Sequence, residues 1–220
     1  MSVPSGAEDV ASGGYLAPAG PAEAEVRERA SRFLALLVPV TDPREATRVL
    51  DGFRKQHRGA THHCWAWRLG ASAQERSSDD GEPAGTAGEP ILRMLRGADL
   101  SDVLVVVVRW FGGTRLGKGG LARAYAGACG AALEGLEVVR RVETARLRVT
   151  LPYERLGAVK RLLEAPDRRL CSESYGEEVV VVIEVARPAL EEVEAALADL
   201  GPRMAVERLS GDPEGAPTGC

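Results

Sequence analysis

Four basic side chains crowd one glycine-rich stretch: Arg109, Arg115, Lys118 and Arg123, interleaved with Gly112, Gly113, Gly117, Gly119 and Gly120. Arginine meets phosphate through a planar fork of donors, and lysine meets it as a point charge. Glycines let backbone N–H groups approach an anion closely. A helix that starts just after them aims further N–H groups, and the positive end of its dipole, at the same point. The chemistry on offer is anion binding. The same glycines would also serve a tight turn and close packing of helix on sheet with no ligand at all, and both readings stand.

Two nucleotide motifs nearly match this stretch. Residues 112–119 spell G-x-x-x-x-G-K-G, but a P-loop carries Ser or Thr where Gly119 stands, because that hydroxyl holds magnesium. Residues 117–122 spell G-x-G-x-x-A. That turn begins well before Gly117, however, and no second βαβ half follows, as a dinucleotide site requires.

A second group of chemical residues lies upstream. Asp79, Asp80 and Glu82 put three carboxylates in four residues, with Thr86 shortly after. Such a group could hold a divalent cation or supply a general base, but no complete EF-hand loop is present. Their role stays open, and the spacing assigns no metal, cofactor or catalytic residue. Thr86, Gly85 and Gly88 suit the turns of the loop itself. His62 and His63 are adjacent, so on a strand they point to opposite faces and do not share one metal. With no supporting Cys–His spacing around Cys64, both read as structural. The four cysteines are scattered, with no C-x-x-C pair and no zinc spacing.

The elements that must position these groups follow from hydrophobic period. Val103–Val108 is an unbroken run of valines with Leu104, the pattern of a strand buried on both faces. Leu121, Ala124, Tyr125, Ala128, Ala132 and Leu136 then recur at helical spacing. The central stretch is therefore strand, glycine turn, helix. Upstream, a strand begins near Glu23 and another covers residues 31–40. A helix follows, with Asp42 as N-cap, Pro43 at its first position and Glu45 at capping-box spacing, and runs to about His57. Residues 61–69 read as a short aromatic strand, 70–90 as a long polar loop, and 89–96 as a short helix. Residues 1–20 read as partly frayed.

Beyond about residue 140 the order becomes strand 146–151, helix 153–163, strands 169–175 and 179–185, helix 188–200 and strand 203–209. This βαββαβ order predicts a ferredoxin-like sandwich. The chain is thus expected to be α+β, with an N-terminal α/β domain at 1–138, the ferredoxin-like domain at 139–210 and a disordered Gly/Pro-rich tail at 211–220.

A net charge of −4 and a pI near 5.6 exclude a global basic field, so any attraction for nucleic acid is local. No apolar run reaches membrane length, and no signal-peptide core opens the chain. A reduced, cytoplasmic chain is expected.

Four segments together carry a resemblance: S31-R-F-L-A, H63-C-W-A-W-R, D79-D-G-E-P-A-G-T-A-G-E-P-I-L and V108-R-W-F-G-G-T-R-L-G-K-G-G-L-A-R-A-Y. They resemble the IMPACT family, in its bacterial, YigZ-like branch. Trp110 departs from the tyrosine common there. The resemblance implies that the N-terminal domain is folded like the second domain of a small-subunit ribosomal protein. It also implies that the loop at 79–90 and the turn at 109–123 share one face. Eukaryotic relatives are linked to control of translation through a protein partner, which they bind with the help of a further domain not seen here. The expected function is a non-catalytic, translation-associated regulator that binds RNA or a ribosomal surface through Arg109, Arg115, Lys118 and Arg123. One alternative is an enzyme on a small phosphorylated or nucleotide substrate. Another is a module that binds a protein partner.

Overall fold

The computed structural model describes residues 14–209. They fall in two compact units, residues 14–141 and, among the described residues, 142–209. The expectations for residues 1–13 and for the tail at 211–220 lie outside the described residues.

The first unit runs β1 (Gly14–Pro18), β2 (Ala22–Glu28), β3 (Ser31–Pro39), α1 (Pro43–Gln56), β4 (His62–Leu69), β5 (Gln74–Ser78), α2 (Gly88–Gly97), β6 (Val103–Trp110) and α3 (Gly117–Leu133), and β7 (Val138–Val142) follows. Five strands form an antiparallel sheet in the order β2-β3-β6-β4-β5. The strand β6 lies at its centre, paired with β3 and β4. Its side chains alternate between two cores. Val103, Val105 and Val107 pack with α2 and α3, through Ile91, Leu95, Leu121 and Tyr125. Leu104, Val106 and Val108 pack with Ala46 and Leu50 of α1. An unbroken apolar run is what a strand needs when both faces are covered, and each such residue contributes about 1.5–3 kcal/mol by leaving water.

The helix α1 starts as its sequence dictates. The Asp42 carboxylate accepts from the N–H groups of Arg44 and Glu45, at 2.7 and 2.9 Å. Glu45 reaches back one residue further than a standard capping box and accepts from the Thr41 N–H at 2.8 Å.

Three strands depart from the sequence reading. Residues 74–78, expected inside a polar loop, form the edge strand β5, because Trp65–Leu69 offers it a partner ladder. Residues 14–18, expected to be frayed, form β1 in a two-stranded sheet with β7, itself unforeseen. Buried Asp102 organises that region: its carboxylate accepts from the Tyr15 hydroxyl of β1, from Arg141 of β7 and from the Gly70 N–H after β4. The helix α3 also begins at Gly117 rather than Leu121. Packing of its buried face overrides the poor helix propensity of its first-turn glycines.

The second unit runs β8 (Thr144–Leu151), α4 (Leu156–Leu162), β9 (Arg168–Tyr175), β10 (Val179–Ala186), α5 (Leu190–Asp199) and β11 (Ala205–Leu209). Its antiparallel sheet has the order β11-β8-β10-β9, the ferredoxin-like arrangement. Leu147, Val149 and Leu151 alternate inward with Val181 and Ile183 against Val159, Val193 and Leu197. Each helix is preceded by one 3₁₀ turn, at Tyr153–Arg155 and Arg187–Ala189, so both start later than the sequence pattern suggests. Among the described residues of the chain, no helix is long and apolar enough to cross a membrane.

The turn after β6 is fixed by main chain. A Cβ on Gly112 would lie 1.8 Å from the Ala30 carbonyl oxygen. Gly113 has φ +88 but open space around it. Gly112→Ala is therefore expected to cost about 3 kcal/mol or more in urea unfolding, and Gly113→Ala only about 1–2 kcal/mol, the cost of the left-handed backbone.

Candidate functional site

Arg109 follows Val107 on the face of β6 that looks toward α2 and α3, and the sheet carries it to the end of the strand. Its Nη1 donates to Glu82 Oε1 at 2.5 Å, and both side chains are buried, at 6 % and 4 % exposure. The Tyr125 hydroxyl, on α3, donates to the same oxygen at 2.8 Å. Tyr125 is itself held edge-on to Phe33, with ring centroids 5.2 Å apart. Burial, followed by the neighbouring Cys64 and Glu82, pushes the Tyr125 hydroxyl far above its ordinary range, so it acts as a donor.

The acidic loop divides its carboxylates among three partners. Asp79 Oδ1 accepts from the N–H groups of Ala87 and Gly88, both at 2.9 Å, and its Oδ2 accepts from Gly85 at 2.8 Å. Asp79 thereby caps α2 from nine residues away from Gly88. Gly88 is needed for that approach, since a Cβ there would lie 2.8 Å from the Ser78 backbone. Asp80 Oδ2 accepts from the His63 N–H and its Oδ1 from Arg54 of α1, at 2.7 and 2.9 Å. Glu82 turns inward to Arg109. Thr86 donates to the Pro83 carbonyl at 2.6 Å and closes the loop's own turn. Among the described residues, no three His, Cys, Asp or Glu side chains converge as metal ligands.

A cavity of about 460 Å³ opens beside the buried pair. It is lined by Glu82 and Pro83 of the loop, Thr61 and His62 at the start of β4, and Arg109, Phe111, Arg115, Leu116, Gly117, Lys118 and Leu121. Four of the basic-turn residues named from sequence meet there: Arg109, Arg115, Gly117 and Lys118. Arg109 reaches it with its charge already matched by Glu82, whereas Arg115 and Lys118 are exposed. Gly112, Gly113, Gly119, Gly120 and Arg123 do not line it. Gly112 abuts Ala30, and Arg123 lies against Gly119. Among the described residues, no side chain caps the N-terminus of α3, and its first turn carries no acidic residue.

His62 is the residue that sequence reasoning passed over. Both histidines read as structural from the sequence, and strand alternation sends them to opposite faces. His62 lines the cavity opposite Arg109 in the β4–β6 register. His63 faces the other way, where burial, ahead of its charged neighbours, lowers its pKa. The available signal was parity: His62 shares its face with Cys64 and Ala66, the face that packs on α2 and α3. Thr61 and Phe111 were also missed. The Thr61 hydroxyl accepts from the Phe111 N–H at 3.0 Å, which fixes the cavity rim. Cys64 is no nucleophile, because burial, more than anything else, pushes its thiol far up, and its Sγ donates to the Asp79 carbonyl.

The Impact N-terminal domain pattern matches residues 29–133, and a domain of unknown function matches residues 149–201. The IMPACT family member YigZ of Escherichia coli (strain K12) is 37% identical over 190 residues, 84% of this chain and 92% of that protein. This chain belongs to the IMPACT family. A second IMPACT relative, YvyE of Bacillus subtilis (strain 168), is 37% identical over 158 residues, 71% of this chain and 73% of its own length. A crystal structure of a hypothetical protein superposes with a TM-score of 0.65 at 33% identity, covering 91% of this chain and 98% of that one. The IMPACT domain match thus contains the whole cavity.

Two outcomes follow from this geometry. Glu82→Ala strands the Arg109 charge in the interior and is expected to cost about 3–5 kcal/mol in chemical unfolding. Asp79 is desolvated, which raises its pKa, but the N–H bonds from Gly85, Gly88 and Ala87 outweigh that and hold it below the ordinary range. A carboxyl so held stabilises the fold at neutral pH and loses that contribution as the pH falls through its folded value. Asp79→Ala is therefore expected to cost about 1–2 kcal/mol at pH 7, and the difference from the unsubstituted chain to shrink below about pH 4.

Proposed function

We propose that this IMPACT protein is a cytoplasmic, non-catalytic module that acts around translation by binding RNA, free or on a ribosomal surface. The observation that carries the reading is the uncapped start of α3, a helix of 17 residues, which opens with Arg115 and Lys118 onto one cavity. Backbone N–H groups, a helix dipole and two exposed cations at one place suit a phosphate. Phe111, 45% exposed on the rim, offers a base a surface to stack on. Arg109 supports this site from below, as its guanidinium carbon stands 5.3 Å from the Phe111 ring. Gly112 and Gly113 shape the turn, and Arg123 lies outside the cavity, within α3.

A second reading, an enzyme or receptor for a small phosphorylated or nucleotide ligand, is favoured by the size of the cavity, which falls in the range of small-molecule sites.

Binding of a labelled single-stranded RNA at two salt concentrations tests the proposal. The unsubstituted chain is expected to bind more weakly as salt rises. The Arg115→Ala/Lys118→Ala variant is expected to lose affinity at low salt and to show a log–log salt slope shallower by about 1.4, or 0.7 for each lost phosphate contact. No binding by the unsubstituted chain at low salt overturns the RNA reading. A thermal shift with a mononucleotide in that case favours the second one.

A further inference from the structure

The cavity carries two acceptors next to its cations, and they are not needed for phosphate. His62 Nδ1 lies 2.8 Å from the Asp80 carbonyl oxygen. A carbonyl only accepts, so Nδ1 carries the proton, and in the neutral ring Nε2 is left as a bare acceptor. That Nε2 stands 3.9 Å from Glu82 Oε1, too far for a bond between the two groups to use it up. The bonds from Arg109 and Tyr125 both fall on Oε1 of Glu82, and neither uses Oε2. Both residues line the cavity, with Arg115 and Lys118 on its other element. The third polar group of the same wall, Thr61 Oγ1, already accepts from the Phe111 N–H.

A phosphate offers no hydrogen to these acceptors, and a carboxylate beside it would repel it were Arg109 not paired there. The group that suits the uncharged one, His62 Nε2, is a neutral hydroxyl, bonded to a framework that also carries the phosphate. We infer that His62 Nε2, beside the Glu82 carboxylate, accepts the single hydrogen of the ribose 2′-hydroxyl of a nucleotide whose phosphate sits on Arg115, Lys118 and the start of α3, so that the cavity selects RNA over DNA. This rests on the phosphate-binding reading above and adds to it a specificity that the cations and the helix end cannot supply, since both nucleic acids present the same phosphates. The 2′-hydroxyl is the group by which a protein distinguishes the two. Its loss leaves the Nε2 acceptor desolvated and unpaired, which gives discrimination of roughly tenfold for one hydrogen bond.

The test compares single-stranded oligonucleotides of one sequence made as RNA, as DNA and as 2′-O-methyl RNA, at low salt. The unsubstituted chain is expected to bind RNA roughly tenfold more tightly than DNA. It is expected to treat 2′-O-methyl RNA as DNA, because the methyl removes the donated hydrogen and keeps the sugar. His62→Ala is expected to bring RNA affinity down to that for DNA. Equal binding of all three by the unsubstituted chain overturns this inference and leaves the phosphate site standing. Loss of binding to RNA and DNA alike in His62→Ala also overturns it, by making His62 a structural support. No binding of any of the three overturns both readings. The comparison of ligands needs no variant, so it holds even if His62→Ala does not fold.

Discussion

The Glu82–Arg109 pair is the constraint on which the rest of the first unit turns. Neither charge can stay buried alone, and their mutual attraction offsets desolvation only where geometry and further hydrogen bonds are good. Here Tyr125 supplies that further bond. Three stretches far apart in sequence thereby acquire one meeting point: the loop after β5, the end of β6 and the middle of α3. The neighbouring carboxylates complete the docking of the loop, Asp79 on the start of α2 and Asp80 on β4 and α1. The acidic run thus makes three separate anchors.

The three long helices of this unit treat their N-termini differently. Asp42 satisfies α1 from the adjacent residue, and Asp79 satisfies α2 from a distance. The third, α3, has no side-chain cap and a first turn of glycine and lysine, at the cavity mouth. The starts of α1 and α2 thus meet carboxylates of the chain itself, whereas α3 starts beside the exposed Arg115 and Lys118.

Much of the architecture was legible because local and tertiary signals agree. The β-branched run of β6, the Asp42-Pro43 start of α1 and the alternation of β8 and β10 each state their structure in a few residues. The βαββαβ order of the second unit followed from them. What could not be read depends on pairing between distant segments. Gln74–Ser78 has no hydrophobic period and becomes a strand only because β4 has a free edge. Tyr15 and Arg141 meet only because Asp102 collects them. The site was half legible. Residue types marked the basic turn and the acidic loop, but only register shows that Glu82 turns inward, that Arg109 is neutralised and that His62 rather than His63 looks into the cavity.

The contact of Gly112 with Ala30 has a consequence for how such a site changes over generations. The wall of the cavity is positioned by backbone against backbone, so its location does not depend on the side chains that the following residues display. Thr114 and Arg115 are exposed and can be exchanged for other residues while the scaffold beneath them stays in place, whereas Leu116 packs on the core. The position of the turn thus rests on main chain, while the side chains of Thr114 and Arg115 face solvent beyond it.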